Sequence, residues 1–187
     1  MIEFNNVSFS YGDKQILENF NLKIPMGSRI CFFAPSGFGK TTLLRLITGL
    51  EKPDSGRIKG TENLKFSVVF QEDRLIPQKT VYENIQLFGG EEHIPEILEN
   101  LGLSDAQGLY PKELSGGMAR RASIGRAINY GGDIFILDEP FNGIDKENIK
   151  KTALFINAKT KGKTVITVTH NIDEAKLLGA EIIHLNN

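Results

Sequence analysis

The apolar run Arg29-Ile30-Cys31-Phe32-Phe33 gives way to Ala34-Pro35-Ser36-Gly37-Phe38-Gly39-Lys40-Thr41, and helical spacing then resumes from Thr42 to Leu50. No other feature constrains the fold as much. A short apolar run reads as a strand buried on both faces, and a glycine-rich loop leading from it straight into a helix is the corner of a parallel α/β sheet. At such a corner the unpaired N–H groups of the helix start converge, and the helix dipole makes that point attractive to an anion. The segment fits the pattern G-x-x-x-x-G-K-[ST] except at its first position, Ala34. Gly37 and Gly39 permit backbone angles and a close approach that a Cβ would hinder. Lys40 is placed to neutralise β- and γ-phosphates, Thr41 to ligate Mg²⁺ through its hydroxyl, and Thr42 to bond an α-phosphate. Ala34 would cost about 1 kcal/mol or more if its position required a positive φ, but the later glycines and Lys40 carry the phosphate contacts, so the loop is expected to form.

The rest of the chain agrees with an α/β fold. Residues 2–4, 7–9 and 16–24 alternate apolar with polar, as half-buried strands of an antiparallel sheet at one edge, with Asn5-Asn6 and Tyr11-Gly12-Asp13 as punctuation. Lys65–Phe70, Ile134–Leu137, Thr164–Thr169 and Glu181–Leu185 read as further strands, and Gly116–Asn129, Lys146–Lys159 and Asp173–Leu178 as helices. Between residues 80 and 109, apolar residues recur at helical intervals with glycine interruptions, which predicts a small helical insertion. Strands alternating with helices indicate a parallel sheet with both faces covered. The expected division of the single domain 1–187 is a core of about 1–71 and 130–187 and a helical part of about 72–129.

Composition excludes several classes. The charge is balanced, 22 Lys+Arg against 23 Asp+Glu, and Trp is absent, so neither a basic surface nor a base-stacking platform for nucleic acid is offered. No segment reaches the roughly 18 apolar residues of a membrane span, and the N-terminus has no signal-peptide pattern. The chain is expected to be soluble. Its single cysteine, Cys31, fits a reducing cytosol and reads as a buried small hydrophobe.

Two further elements carry chemistry. Asp138 ends the strongly apolar run Ile134–Leu137, at the carboxyl edge where open α/β sheets bind ligands, and can hold the Mg²⁺ that Thr41 also touches. Glu139, one residue on, can act as general base toward water. Leu114-Ser115-Gly116-Gly117 opens another helix, so Ser115, Gly116 and Gly117 form a second anion-binding helix end. Arg120 and Arg121 in its next turn read as surface or salt-bridge residues rather than phosphate ligands.

Together these residues resemble the ATP-binding cassette ATPases, the nucleotide-binding subunits of ABC transporters, with every motif in order along essentially the whole chain. Residues 34–42 match the Walker A, Gln71 the Q-loop, Leu114–Met118 the L-S-G-G-Q signature with Met at its end, Ile134–Pro140 the Walker B, Asn142–Asp145 the D-loop, and His170 the switch histidine. The stretches FQEDRLIPQKTVYENI and YPKELSGGM look most like the importer branch for nitrate, sulfonate and taurine-type solutes. The resemblance implies a P-loop NTPase (RecA-like) parallel-sheet core with an N-terminal antiparallel β subdomain and a helical insertion. It implies hydrolysis of ATP with Mg²⁺ by Glu139, His170, Gln71 and Lys40, with Gln71 also near the metal. Each ATP would be sandwiched between Lys40 of one subunit and Ser115 of the other in a homodimer or paired dimer, with Asp145 bonding across it. Tyr11 lies where the family keeps an adenine-stacking aromatic, or else it covers the small sheet.

The implied partners are two transmembrane permease subunits and an extracytoplasmic solute-binding protein, with no nucleic acid. The implied location is cytoplasmic, peripheral on the inner face of the membrane. The alternatives are a soluble cassette acting on nucleic acid or ribosomes and a degenerate ATP-binding regulatory subunit. Ending one strand after His170, the chain is expected to carry no regulatory module.

Overall fold

A computed structural model describes residues 1–33 and 39–185. Its centre is a five-stranded parallel sheet in the order β5-β6-β7-β3-β8, built from β3 (Arg29–Phe33), β5 (Phe66–Val69), β6 (Ile134–Asp138), β7 (Thr164–Val168) and β8 (Glu181–His184). Both β6 and β7 are buried along their whole length. Their side chains therefore alternate between two apolar clusters rather than between core and water. Ile134, Ile136 and Ile166 join Phe32, the α1 residues Leu43 and Ile47 (α1, Lys40–Ile47), and Phe4 of the small sheet. Phe135, Leu137 and Val165 point the other way, into a cluster with Val81 and Ile85 of α2 (Val81–Gln86), Ile97 and Leu101 around α3 (Ile94–Asn100), Ala122 and Ile124 of α4 (Gly116–Tyr130), and Phe155 of α5 (Lys146–Lys159). The helices of residues 81–130 thus share a core with one face of the parallel sheet. The short helix α6 (Ile172–Leu177) connects β7 to β8.

The antiparallel strands differ from the sequence expectation in two ways. They form a sheet of their own, β2-β1-β4, whose third member β4 (Ser55–Lys59) comes from beyond α1 and carried no apolar pattern. Residues 2–11 also form one strand, β1, opposite β2 (Lys14–Ile24). Asn5-Asn6 does not break it: Asn6 adopts φ 49°, and the register shifts between Phe4 and Val7. Asparagine tolerates the left-handed region, so this punctuation became a β-bulge inside a continuous strand.

Register explains where a site must lie. In the parallel ladder Phe32 pairs with Val168, Asp138 with Val168, and Val69 with Leu137. The strands β3, β5, β6 and β7 therefore end on one edge, and residues 70–71, 139 and 169–170 leave the sheet side by side there. Because Ile97 is fully buried in the cluster that joins the helices to the sheet, Ile97→Ala is expected to lower the unfolding free energy by about 2–5 kcal/mol. Urea denaturation followed by far-ultraviolet circular dichroism checks this; a change below about 1 kcal/mol would contradict the shared core.

Candidate functional site

Helix α1 begins at that edge. Its N-cap is Gly39, at φ 93° and with no side-chain cap. A Cβ there would lie 2.3 Å from Ile16 Cγ2, so both backbone angle and space select glycine. Helical bonding starts at once, with Leu43 N–H donating to the Gly39 carbonyl. This brings Thr41 to the end of β6, where its hydroxyl donates to Asp138 Oδ2 at 3.2 Å. Asp138 is 5% exposed. Burial raises its pKa above the ordinary carboxylate value, against the lowering by the Thr41 bond; nearby Glu139 adds to the rise, and Arg120 and Lys40 oppose it.

The chain turns sharply after Asp138. Glu139 has φ 48°, an uncommon angle for a side-chain-bearing residue, and its N–H donates to the Val168 carbonyl at 2.8 Å. On the adjacent strand end, Thr169 is buried, with its hydroxyl bonded to Glu174 of α6. His170 follows, and its Nδ1 lies 3.1 and 3.2 Å from the two Glu139 carboxylate oxygens. An ionised carboxylate only accepts, so in that state Nδ1 carries the proton and Nε2 is left available on an exposed ring.

An open cleft of about 330 Å³ is lined by Ile16, Gly39, Lys40, Thr41, Thr42, Gln71, Asp138, Glu139 and Val168. The sequence reading named seven of these nine residues, and His170 joins them through Glu139. The oxygen donors Thr41, Asp138 and Gln71 suit a hard divalent cation. Among the described residues no group of three or more His, Cys, Asp and Glu could cage a metal alone. That fits Mg²⁺, which is commonly held by one or two protein groups together with substrate phosphates and water. Ala34, Pro35, Ser36, Gly37 and Phe38, named from the sequence for the same phosphate, lie outside the described residues.

The second glycine-rich helix start does not line this cleft. Ser115 is the N-cap of α4, its Oγ accepting from Met118 N–H at 3.2 Å, and Ser115 and Gly116 are exposed. Met118 packs against the core cluster. Gly117 sits so close to the 142–145 turn that a Cβ would meet the Gly143 carbonyl at 2.6 Å. Asp145 caps α5, accepting from the Asn148 N–H at 3.0 Å, with Arg121 at 4.0 Å. Those Asn148 hydrogen bonds, and more weakly Arg121, hold the Asp145 pKa below its ordinary value. Tyr11 stands apart on the small sheet, half exposed, edge-on to Phe9 and hydrogen-bonded to Glu51 and Arg45.

The sequence reading placed Arg120 and Arg121 at the surface or in salt bridges. Both are buried. Arg120 does form an ion pair, with Asp73 Oδ1 at 3.1 Å. It also donates to four backbone carbonyls: Phe70, Gln71 (3.0 Å), Asp138 (3.3 Å) and Glu139 (2.9 Å). Burial lowers its pKa, and Asp73, Asp138 and Glu139 oppose that shift. The available sign was its spacing: Arg120, Ile124 and Ala127 share one helix face, and the latter two are core residues.

Known proteins resemble this chain in sequence and in fold. Residues 17–142 match the ABC transporter family. The chain is 34% identical to an aliphatic sulfonates import ATP-binding protein of Rhodococcus jostii strain RHA1, covering 100% of this chain and 79% of that one. It is 33% identical to a protein of the same description from Pseudomonas aeruginosa strain UCBPP-PA14, covering 98% of this chain and 81% of that one. The dimeric structure of a bacterial ABC transporter cassette superposes with TM-score 0.85 at 32% identity, covering 99% of this chain and 94% of that one. A dimeric post-hydrolysis state of an ATP-binding cassette, bound to ADP and Pi, gives 0.86 at 31% identity with the same coverage.

The raised Asp138 pKa has a testable sign. A carboxyl whose folded-state pKa lies above its ordinary 3.8 favours folding while protonated, and that contribution is lost as pH rises through the raised value. Asp138→Asn is therefore expected to raise Tm at pH 7 in nucleotide- and metal-free protein, with the gain narrowing as pH falls through the raised value toward 3.8. Differential scanning calorimetry across that range checks it; a gain independent of pH would contradict the burial effect.

Proposed function

The chain belongs to the ABC transporter family, and on that premise we propose that it hydrolyses ATP as the energy-supplying subunit of a solute importer. The observation that carries this reading is the closure of α1's first turn onto the acidic end of β6, where Thr41 meets Asp138 at 3.2 Å, with Glu139 on the same cleft and His170 bonded to it. The triphosphate lies at the start of α1, against N–H groups and Lys40. Thr41 and Asp138, with the Gln71 amide nearby, would hold Mg²⁺, which when bound neutralises charge on the phosphate oxygens.

Glu139 accepts the proton of the attacking water. His170 fixes the Glu139 carboxylate through Nδ1 and presents Nε2 toward the γ-phosphate. The Ser115–Gly117 helix start, exposed at Ser115 and Gly116, takes the triphosphate held by a second copy, with Asp145 near the same face, so that a twofold dimer completes two sites. The similar solved cassettes described as dimeric support the pairing of two chains. Tyr11 offers its ring to the adenine base.

The relatives described as sulfonate importers favour transport over a soluble role on nucleic acid or ribosomes. Among the described residues no helix is long and apolar enough to cross a membrane. On the strength of the relatives described as import ATP-binding proteins, the transport path is assigned to membrane-spanning partners that hold this subunit at the inner face, with an extracytoplasmic solute-binding protein supplying the solute. The solute itself, of the sulfonate class if it follows those relatives, is selected by these partners.

Glu139→Gln is expected to lower phosphate release by about 100-fold or more, to leave ATP binding intact, and to accumulate an ATP-bound dimer. Phosphate-release assays and analytical ultracentrifugation with saturating ATP and Mg²⁺ check this. A variant that still turns over, or stays monomeric, would contradict the proposal.

A further inference from the structure

Arg120 joins elements that are far apart in sequence and meet at the cleft. From the second turn of α4 its guanidinium reaches the segment after β5 through the Phe70 and Gln71 carbonyls and the Asp73 carboxylate. It reaches the end of β6 through the Asp138 and Glu139 carbonyls. A guanidinium presents five N–H donors in a rigid fork, and no other side chain can satisfy so many acceptors at once. Glu139 sits in the left-handed region at φ 48°. A backbone conformation of that kind persists in a side-chain-bearing residue only where its surroundings over-determine it. Here the restraints are the Val168 carbonyl on the Glu139 N–H, the Asn142 N–H on the Glu139 carbonyl at 3.2 Å, and Arg120 on the Asp138 and Glu139 carbonyls. Arg120 does not itself line the cleft, and it rides on the helix that Ser115 caps.

We propose that Arg120 is a positioning residue for hydrolysis: it holds Gln71 and Glu139 in register with each other and ties both to the helix that begins at Ser115. The inference rests on the reading of Glu139 as general base. Its consequence is a separation of two steps. Triphosphate binding at the start of α1 draws on the α1 N–H groups and Lys40, whereas on the metal side Arg120 bonds only the backbone carbonyls of Gln71 and Asp138 and not the side chains that would reach the cation. The attack of water involves the Glu139 carboxylate, whose backbone Arg120 fixes.

The test compares Arg120→Gln, Arg120→Lys, Arg29→Gln and Glu139→Gln in steady-state turnover, normalised to bound nucleotide, with ATP affinity and Tm measured on the same samples. Arg29 is a comparably structural arginine at the opposite end of β3, bonded to the Leu178 carbonyl, Thr160 and Asn157. Arg120→Gln is expected to lower kcat by about 10- to 100-fold while KM and ATP affinity change less than about threefold. Arg120→Lys, which keeps the charge but not the fork, is expected to fall between Arg120→Gln and the unaltered protein. Arg29→Gln is expected to lower Tm without lowering turnover per bound nucleotide.

If Arg120→Gln does not fold, Arg120→Lys carries the test alone: reduced kcat at unchanged KM supports the proposal, and unaltered kcat overturns it. An equal loss of turnover in Arg29→Gln would reduce Arg120 to a general stabiliser and overturn it too. If Glu139→Gln keeps its turnover, the general-base reading fails and takes this proposal with it. If Glu139→Gln is inactive while the folded Arg120 variants turn over normally, only the Arg120 proposal fails.

Discussion

The abrupt change from Ile134-Phe135-Ile136-Leu137 to Asp138-Glu139 determines where every other part of this protein must go. Four consecutive apolar residues on a strand place two side chains on each face, and burying each contributes about 1.5–3 kcal/mol. Both faces must therefore be covered: α1 and the small antiparallel sheet take one, and α2–α5 the other. The apolar run cannot continue into two carboxylates without meeting polar partners. The strand accordingly ends where α1's first turn supplies the Thr41 hydroxyl, the 70–71 segment comes alongside, and β7 delivers His170. Apolar burial fixes the edge, and the edge collects the chemistry.

A buried cation completes that edge. Removing the Arg120 guanidinium would take one donor from four carbonyls and the ion-pair partner from Asp73; the Glu139 carbonyl keeps the Asn142 N–H at 3.2 Å, and each group left buried without a partner costs about 1–3 kcal/mol. The charge balance is local: Asp73, Asp138 and Glu139 all offset the burial of Arg120. Cys31 shows another case, a fully buried thiol in the strand before the loop, its pKa pushed up to about 11, by burial first and more weakly by Glu139 and Glu174. It is inert packing beside a reactive edge.

Much of this was legible in the sequence where apolar pattern and chemistry coincide. The strand at 29–33, the helix opening at 116 and the fully buried strands at 134–138 and 164–168 stand close to where their periodicity placed them. Strand β4 was not legible because it buries almost nothing and is held by hydrogen bonds to β1. The bulge at Asn6 was read as a break because composition cannot distinguish an asparagine that ends a strand from one that shifts its register. Arg120 forms the salt bridge that its charge suggests, but its burial is legible only from helical spacing, to which charge alone gives no clue. The Tyr11 ring and the Ser115 helix end take their proposed ligands from resemblance alone, because neither periodicity nor the cleft's lining names a ligand for them.

The composite site is the central claim of this account, and the structure of Glu139→Gln with ATP and Mg²⁺ tests it most directly. The account predicts two chains about a twofold axis, each triphosphate held between the α1 start of one chain and the Ser115–Gly117 end of α4 from the other. A nucleotide bound at α1 with the Ser115–Gly117 ends facing solvent, or facing a ligand of their own chain, would contradict it.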